Sequence, residues 1–293
     1  MDIIKSFMLE NGLFKGSFIA ADKTVADIWN KHQYPDVLRP IFADAVLVAL
    51  ALSAGIKYQG VFSLQIKGDG PISLLYIDIT TDKKVRGYMT VRDDADLSDK
   101  KTLSDLFGRG QLIFSVAGLG QEPYQGVVAL TQKTLTETVK DYFRLSEQIE
   151  TDLVLSHHRE EGRCILIQRM PNMAGVSSDQ ATDLWETVSV LLNSVRPQEL
   201  FSDLSPDEIL FRLFHANQLT VFEPTTPIFE CRCYRGKMEN FLKKMPQQER
   251  ITLYNGDATI DVSCQFCGEK YTFTAQDLGD ADIINHQMPK GIA

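Results

Sequence analysis

Four of the chain's five cysteines stand in two close pairs near its carboxyl end. One pair is Cys231-Arg232-Cys233; the other is Cys264-Gln265-Phe266-Cys267, followed at once by Gly268. Two such pairs can converge four thiolates on one tetrahedral Zn2+, a closed structural site with no open position for a substrate. The Cys-x-x-Cys-Gly half is the more specific of the two. Its turn lets backbone amides point at the sulfurs, and Gly268 supplies the backbone freedom needed just past the second ligand. The Cys-x-Cys half is less usual, because one intervening residue strains simultaneous ligation and a disulfide alike. The same residues also admit a permanent pair of disulfides, or a thioredoxin-like redox motif, which needs a helix opening at the second cysteine.

The other reactive side chains carry less chemistry. Cys164 lies among strand apolars in Arg163-Cys164-Ile165-Leu166-Ile167 and reads as inert core. His157 and His158 are adjacent, so on a strand they face opposite ways and read as a solvated strand end rather than a metal pair. Gly68-Asp69-Gly70-Pro71 suggests a phosphate loop, but it joins two strands, lacks the Gly-Lys-Ser/Thr ending and opens no helix. The sequence shows no nucleophile elbow, no His-Glu-x-x-His and no cluster of carboxylates with histidine, so the expectation is a protein that is not an enzyme.

These residues must be held by something. A chain of 293 residues can bury a substantial core and suggests about two domains. Its 44% hydrophobic and 24% charged residues are those of an ordinary soluble globular protein. The net charge of -9 argues against nucleic acid as main partner, since phosphate binding needs a basic footprint. Met1-Asp2-Ile3-Ile4-Lys5 lacks the basic start and apolar run of a secretory leader, and the longest uncharged apolar stretch, 45–56, is too short to cross a bilayer. The expectation is a cytoplasmic chain with no membrane partner, in which reduced cysteines favour metal or redox sensing.

Strands are expected at 13–20, 58–67, 72–80, 85–91, 111–117, 124–130, 152–157 and 163–168. Helices are expected at 23–32, 35–54 (stopped by Gly55) and 134–149, the last burying Val139, Tyr142, Phe143 and Ile149. Residues 118–123 read as a loop, and 170–178 as a linker of Pro, Gly and Ser without periodicity. Strands in runs, with helices set apart, make an α+β domain rather than a doubly wound sheet. A helix over 179–195 then carries Leu184, Trp185, Val188, Leu191, Leu192 and Val195 on one stripe, stopped by Pro197. A second opens at Ser205-Pro206-Asp207-Glu208, with Ser205 as N-cap and Glu208 closing a capping box. Its apolar side is Ile209, Leu210, Leu213 and Phe214. Neither helix is long enough to stand alone in water. They form either a permanent connector or a conditional surface, covered in one state and bared in another. The expected organisation is a mixed α/β core over 1–175, a helical linker over 176–226 and a small zinc-binding domain over 227–293. Between 231 and 270, seven basic residues face five acidic ones, a balance of +2 that is weak for a nucleic-acid zinc ribbon. Apolar residues are few there, so metal-binding free energy, of order 10 kcal/mol or more, becomes folding free energy.

Phe229-Glu230-Cys231-Arg232-Cys233 together with Asp261-Val262-Ser263-Cys264-Gln265-Phe266-Cys267-Gly268 resembles the redox-regulated heat-shock chaperone of the 33-kilodalton class, a bacterial holdase. Gln65-Ile66-Lys67-Gly68-Asp69-Gly70-Pro71, Tyr124-Gln125-Gly126-Val127-Val128, Asp141-Tyr142-Phe143, Ser146-Glu147-Gln148 and Leu213-Phe214-His215 resemble further landmarks of that family in the same order. The resemblance implies zinc ligands at Cys231, Cys233, Cys264 and Cys267, and disulfides linking Cys231 to Cys233 and Cys264 to Cys267 on oxidation. It implies a largely inactive reduced form and an oxidised, dimeric form that binds unfolding client proteins without ATP. The two linker helices are then the candidate client surface. Two other readings compete: a zinc-ribbon regulator contacting nucleic acid or transcription machinery, and a disulfide oxidoreductase using Cys264 and Cys267 alone.

Overall fold

A computed structural model describes residues 1–98, 102–118, 124–171, 177–255 and 257–282. The expected loop at 118–123 and the middle of the expected linker at 170–178 therefore lie largely outside the described residues. The chain divides into two compact units, Met1–Glu230 and Cys231–Ala293.

The first unit opens with β1 (Asp2–Leu9) and β2 (Phe14–Ala21), then α1 (Asp22–Trp29) and α2 (Arg39–Ala54). β3 (Gly60–Gly68), β4 (Ile72–Thr80) and β5 (Lys84–Val91) form a meander. They are followed by α3 (Leu103–Phe107), β6 (Gly110–Gly118), β7 (Tyr124–Ala129) and α4 (Leu135–Tyr142). β8 (Thr151–His158) and β9 (Glu161–Arg169) precede α5 (Ser178–Asn193), α6 (Pro197–Leu200) and α7 (Pro206–Phe214). Two-residue strands β10 (Thr220–Val221) and β11 (Ile228–Phe229) close the unit. One sheet has the order β10-β1-β2-β9-β8, the other β11-β5-β4-β3-β6-β7. All the pairings are antiparallel except β11 on β5. The fold is α+β.

Helix α2 explains the layering. Together with the turn before it, Asp36–Ala54 is long and apolar enough by composition to cross a membrane, a longer apolar segment than 45–56 alone suggests. Here it is the core of a sandwich. Its side chains meet Ile19, Cys164 and Leu166 from the first sheet and Phe62, Leu75 and Ile77 from the second, all buried. A helix apolar all round belongs between two apolar faces. Gly55 does follow its last turn, yet at φ -81, so it stops the helix without the left-handed cap that glycine often provides.

The other face of the first sheet presents Phe7, Leu9, Phe14, Phe18, Ala20, Ile165 and Ile167, because side chains alternate along each strand. Helices α5, α6 and α7 cover that face. Residues 176–226, expected as a linker, therefore contribute these helices and β10 to the first unit. The expected helix over 134–149 is shorter. A capping box at Thr134 opens α4, but a π-helical turn over Phe143–Glu147 and a left-handed Gln148 end it, leaving Phe143 and Ile149 only half-buried. Pro197 does more than stop α5, since it stands at the first turn of α6. Strand β1 was not expected from sequence, nor were the two-residue strands.

The second unit holds α8 (Arg235–Lys244), α9 (Gln247–Ile251), the hairpin β12 (Thr259–Ser263) and β13 (Lys270–Thr274), and α10 (Ala275–Leu278). Its core is small: Leu242, Ile260, Phe273 and Leu278 are the buried members of its apolar cluster.

Candidate metal centre

The hairpin turn between β12 and β13 carries Cys264 and Cys267. The Cys264 carbonyl accepts from the amides of Cys267 (3.4 Å) and Gly268 (2.8 Å), and the Cys264 amide donates to the Glu269 carbonyl at 2.9 Å. Gly268 has φ +72, a region that a side chain resists, which is why glycine follows the second cysteine. Cys231 and Cys233 lie in a stretch that is neither helix nor strand, and Tyr234 after them is extended (φ -158) before α8 begins. Side chains two apart share a face only on extended backbone. Cys231 and Cys233 do bring both their sulfurs within 4.8 Å of the other two.

All four sulfurs lie within 4.8 Å of one another. Cys231 Sγ is 3.7 Å from Cys264 Sγ, and Cys233 Sγ is 3.4 Å from Cys267 Sγ. A tetrahedral Zn2+ with bonds of about 2.3 Å separates its sulfurs by roughly 3.8 Å, so the donor set fits that ion in number, type and spacing. Every sulfur is near every other, so distance alone selects no disulfide pairing. Cys264 is buried; the other three are half-buried.

Backbone and side-chain donors serve the sulfurs. The Cys233 amide bears on Cys231 and the Glu269 amide on Cys267. The Tyr271 hydroxyl of β13 donates to Cys233 Sγ at 3.3 Å. Burial raises the Cys231 and Cys267 thiols above the usual cysteine range. At Cys233 burial acts the same way, but hydrogen bonds from Tyr271 and the neighbouring thiols outweigh it and hold that thiol low.

A second fastening in this unit escaped sequence reasoning. Arg250 donates to both oxygens of Asp280 at 2.6 Å, and both residues are buried. Asp280 also accepts from Gln247 (3.1 Å) and Tyr254 (3.0 Å), and these bonds, the one from Arg250 foremost, hold its carboxyl at about 2. Arg250 Nη1 donates to the Leu242 carbonyl at 3.2 Å, at the carboxyl end of α8, where a cation is favoured. Arg250, one of the seven basic residues counted between 231 and 270, is part of the interior.

The remaining candidates fall elsewhere. Cys164 is fully buried in the first unit, and burial pushes its thiol far up. His157 pairs with Asp44 of α2, while the His158 ring lies 5.7 Å from Phe201, so the two histidines do diverge. Gly68 and Gly70 sit against the end of α3, where a Cβ would come within 1.9 and 2.5 Å of backbone atoms of Phe107 and Gly108. Those glycines permit close packing. Of the candidate client residues, Val188, Leu192, Ile209, Leu210 and Phe214 are buried in the cluster under α5–α7. Leu184, Trp185, Leu191 and Leu213 are partly buried against it. Phe14 meets Trp185 at 5.8 Å between ring centroids and Phe7 meets Phe214 at 5.7 Å, so both stripes pack on the sheet face.

The sequence pattern of the Hsp33 protein family matches residues 2–274, which takes in the first unit from its second residue, the second unit as far as Thr274 and all four clustered cysteines. The chain belongs to the Hsp33 family. Among its relatives in that family, the 33 kDa chaperonin of Serratia proteamaculans is 31% identical over 281 residues, 94% of each chain. The 33 kDa chaperonin of Salmonella typhimurium is 30% identical over 292 residues, covering 98% of this chain and 97% of the relative. The crystal structure of the 33 kDa chaperonin (heat shock protein 33 homolog) of Thermotoga maritima is similar with a TM-score of 0.81. It is 20% identical and covers 98% of this chain and 99% of its own, so that likeness concerns the Hsp33 fold.

Proposed function

We propose that this Hsp33-family chain is a redox-regulated, ATP-independent molecular chaperone. It holds unfolding proteins and prevents their aggregation under oxidative stress in the cytoplasm. Its reduced, metal-loaded form is inactive, and disulfide formation among Cys231, Cys233, Cys264 and Cys267 activates it. The names of its relatives support the chaperone part. The switch rests on one observation: four thiols within 4.8 Å of one another, in a unit whose apolar cluster has four buried members.

Cys231, Cys233, Cys264 and Cys267 would hold Zn2+, and their shared ligation would fasten the β12–β13 turn to the segment before α8. The other steps belong to the chain. The thiolates are nucleophiles toward peroxide, and once joined as disulfides they no longer offer lone pairs to a metal. With about 2 kcal/mol from each buried apolar side chain, against about 10 kcal/mol or more from a structural zinc, the unit has too little else to stay folded. The segment leading back from Cys231 is a strap laid along the sheet edges, through β11 on β5, Thr225 on Ile4, Phe222 on Ser6 and β10 on β1. Loss of that strap loosens α7, which β10 follows, and then α5. Clients bind the apolar stripes of α5 and α7 and the sheet face beneath them, an order-to-disorder switch. The oxidised form is a homodimer.

The test follows zinc content, free thiols and light scattering by an unfolding client, before and after peroxide at mildly elevated temperature. One zinc lost, four thiols consumed and aggregation suppressed only afterwards, without ATP, is the expected result. Equal suppression by the reduced, zinc-loaded protein would refute the switch.

A further inference from the structure

We infer that Tyr271 is a positioning residue for the oxidation: its hydroxyl guards the Cys233 sulfur and directs the first oxidant to the other half-buried sulfurs. This rests on the functional reading above and concerns how the same site is regulated. Tyr271 stands opposite Val262 in the β12–β13 hairpin, with its ring packed on the small core of the unit. Its O–H donates to Cys233 Sγ at 3.3 Å.

Cys264 is buried, so peroxide arriving from solvent has three targets, Cys231, Cys233 and Cys267. The thiolate lone pair attacks one peroxide oxygen. An S–O bond forms as the O–O bond breaks, sulfur gives up two electrons, and the second oxygen leaves as hydroxide and becomes water on taking up a proton. A second thiolate then attacks the sulfenic sulfur, the S–S bond forms, and hydroxide leaves again. Both steps need a free lone pair. In the metal-loaded site all four sulfurs are already thiolates, so a hydrogen bond adds nothing to the thiolate fraction and only withdraws density from the attacking pair. Backbone amides do this mildly at Cys231 and Cys267. The phenol at Cys233 is a stronger donor. The first S–O bond therefore forms at Cys231 or Cys267.

The zinc-loaded full chain and a Tyr271→Phe variant are treated with substoichiometric hydrogen peroxide in the presence of dimedone, which captures sulfenic sulfur. Labelling at Cys233 relative to Cys267 is read by peptide mass spectrometry. Wild type should label least at Cys233 among the half-buried three. The variant should raise the Cys233 to Cys267 ratio about three- to tenfold, the span of a typical net hydrogen-bond contribution, with zinc still at one per chain. An unchanged ratio, or a rise shared by all the sulfurs as in a loosened site, overturns the inference. The cobalt-substituted variant gives a second readout, because loss of the donor moves the thiolate-to-metal charge-transfer band to longer wavelength and an unmoved band counts against the guard. If peroxide left zinc bound in both proteins, the functional reading would fail; iodoacetamide alkylation of Cys233 relative to Cys267 would still judge the guard by the same ratio.

Discussion

Each reactive side chain here takes its character from partners far away in sequence. His157 pairs with Asp44, 113 positions earlier, and the hydrogen bond it donates to that carboxylate raises the imidazole above its ordinary value although burial works against it. A raised histidine stabilises the fold fully below its unfolded value of about 6.5, and the contribution is lost as pH rises through the higher folded value. Asp44→Asn should therefore cost more stability at pH 6 than at pH 8.5, measured by urea unfolding with tryptophan fluorescence. Equal losses at the two pH values would contradict the pairing. The cysteine cluster was legible because its spacing is local on each side. The Tyr271 donor, the Arg250–Asp280 pair and the His157 partner were not, since nothing in a run of neighbouring residues announces a contact across 30 or more positions.

Helices α5 and α7 were the most legible elements. Ser177 with Gln180 and Ser205 with Glu208 form capping boxes, and the apolar stripes repeat at helical spacing. Their buried positions are held by polar pins as well, for the buried Asp152 of β8 accepts from Lys140, Ser189 and Asn193, and Lys5 of β1 meets Asp207 at 2.9 Å. Leu192→Ala should destabilise the first unit by about 2–5 kcal/mol, and Val190→Ala, at a position 69% exposed, by no more than about 0.5. Urea midpoints at constant slope measure both. A Leu192→Ala cost below 1 kcal/mol would mean that the helices do not rest on the sheet face. Elements with no apolar stripe were missed: α8 buries only Leu242 of its ten residues, and other groups place it. The end of α4 was overrun because a π-helical turn keeps helical spacing for five more residues.

At the scale of the molecule, the two units are held by different means. The first encloses an apolar helix between two sheets and covers one of them with more helices, so its stability comes from burial. That architecture was legible as α+β, but the packing of the 176–226 helices on the first sheet was not, because periodicity shows that a stripe must be covered without showing by what. Among its described residues, the second unit has a small core, a cluster of four thiols and one buried ion pair. Such a pair adds little net stability over an apolar substitute, so under the proposed function a metal held by the four thiols is the decisive fastening. Hydrogen exchange on the reduced, full-length, zinc-loaded chain, read by mass spectrometry before and after complete chelation, tests this most directly. Amides of α8, β12 and β13 should lose their protection while those of β2, β3 and β4 keep it; protection of the β12–β13 hairpin that survives the removal of all metal would contradict the account.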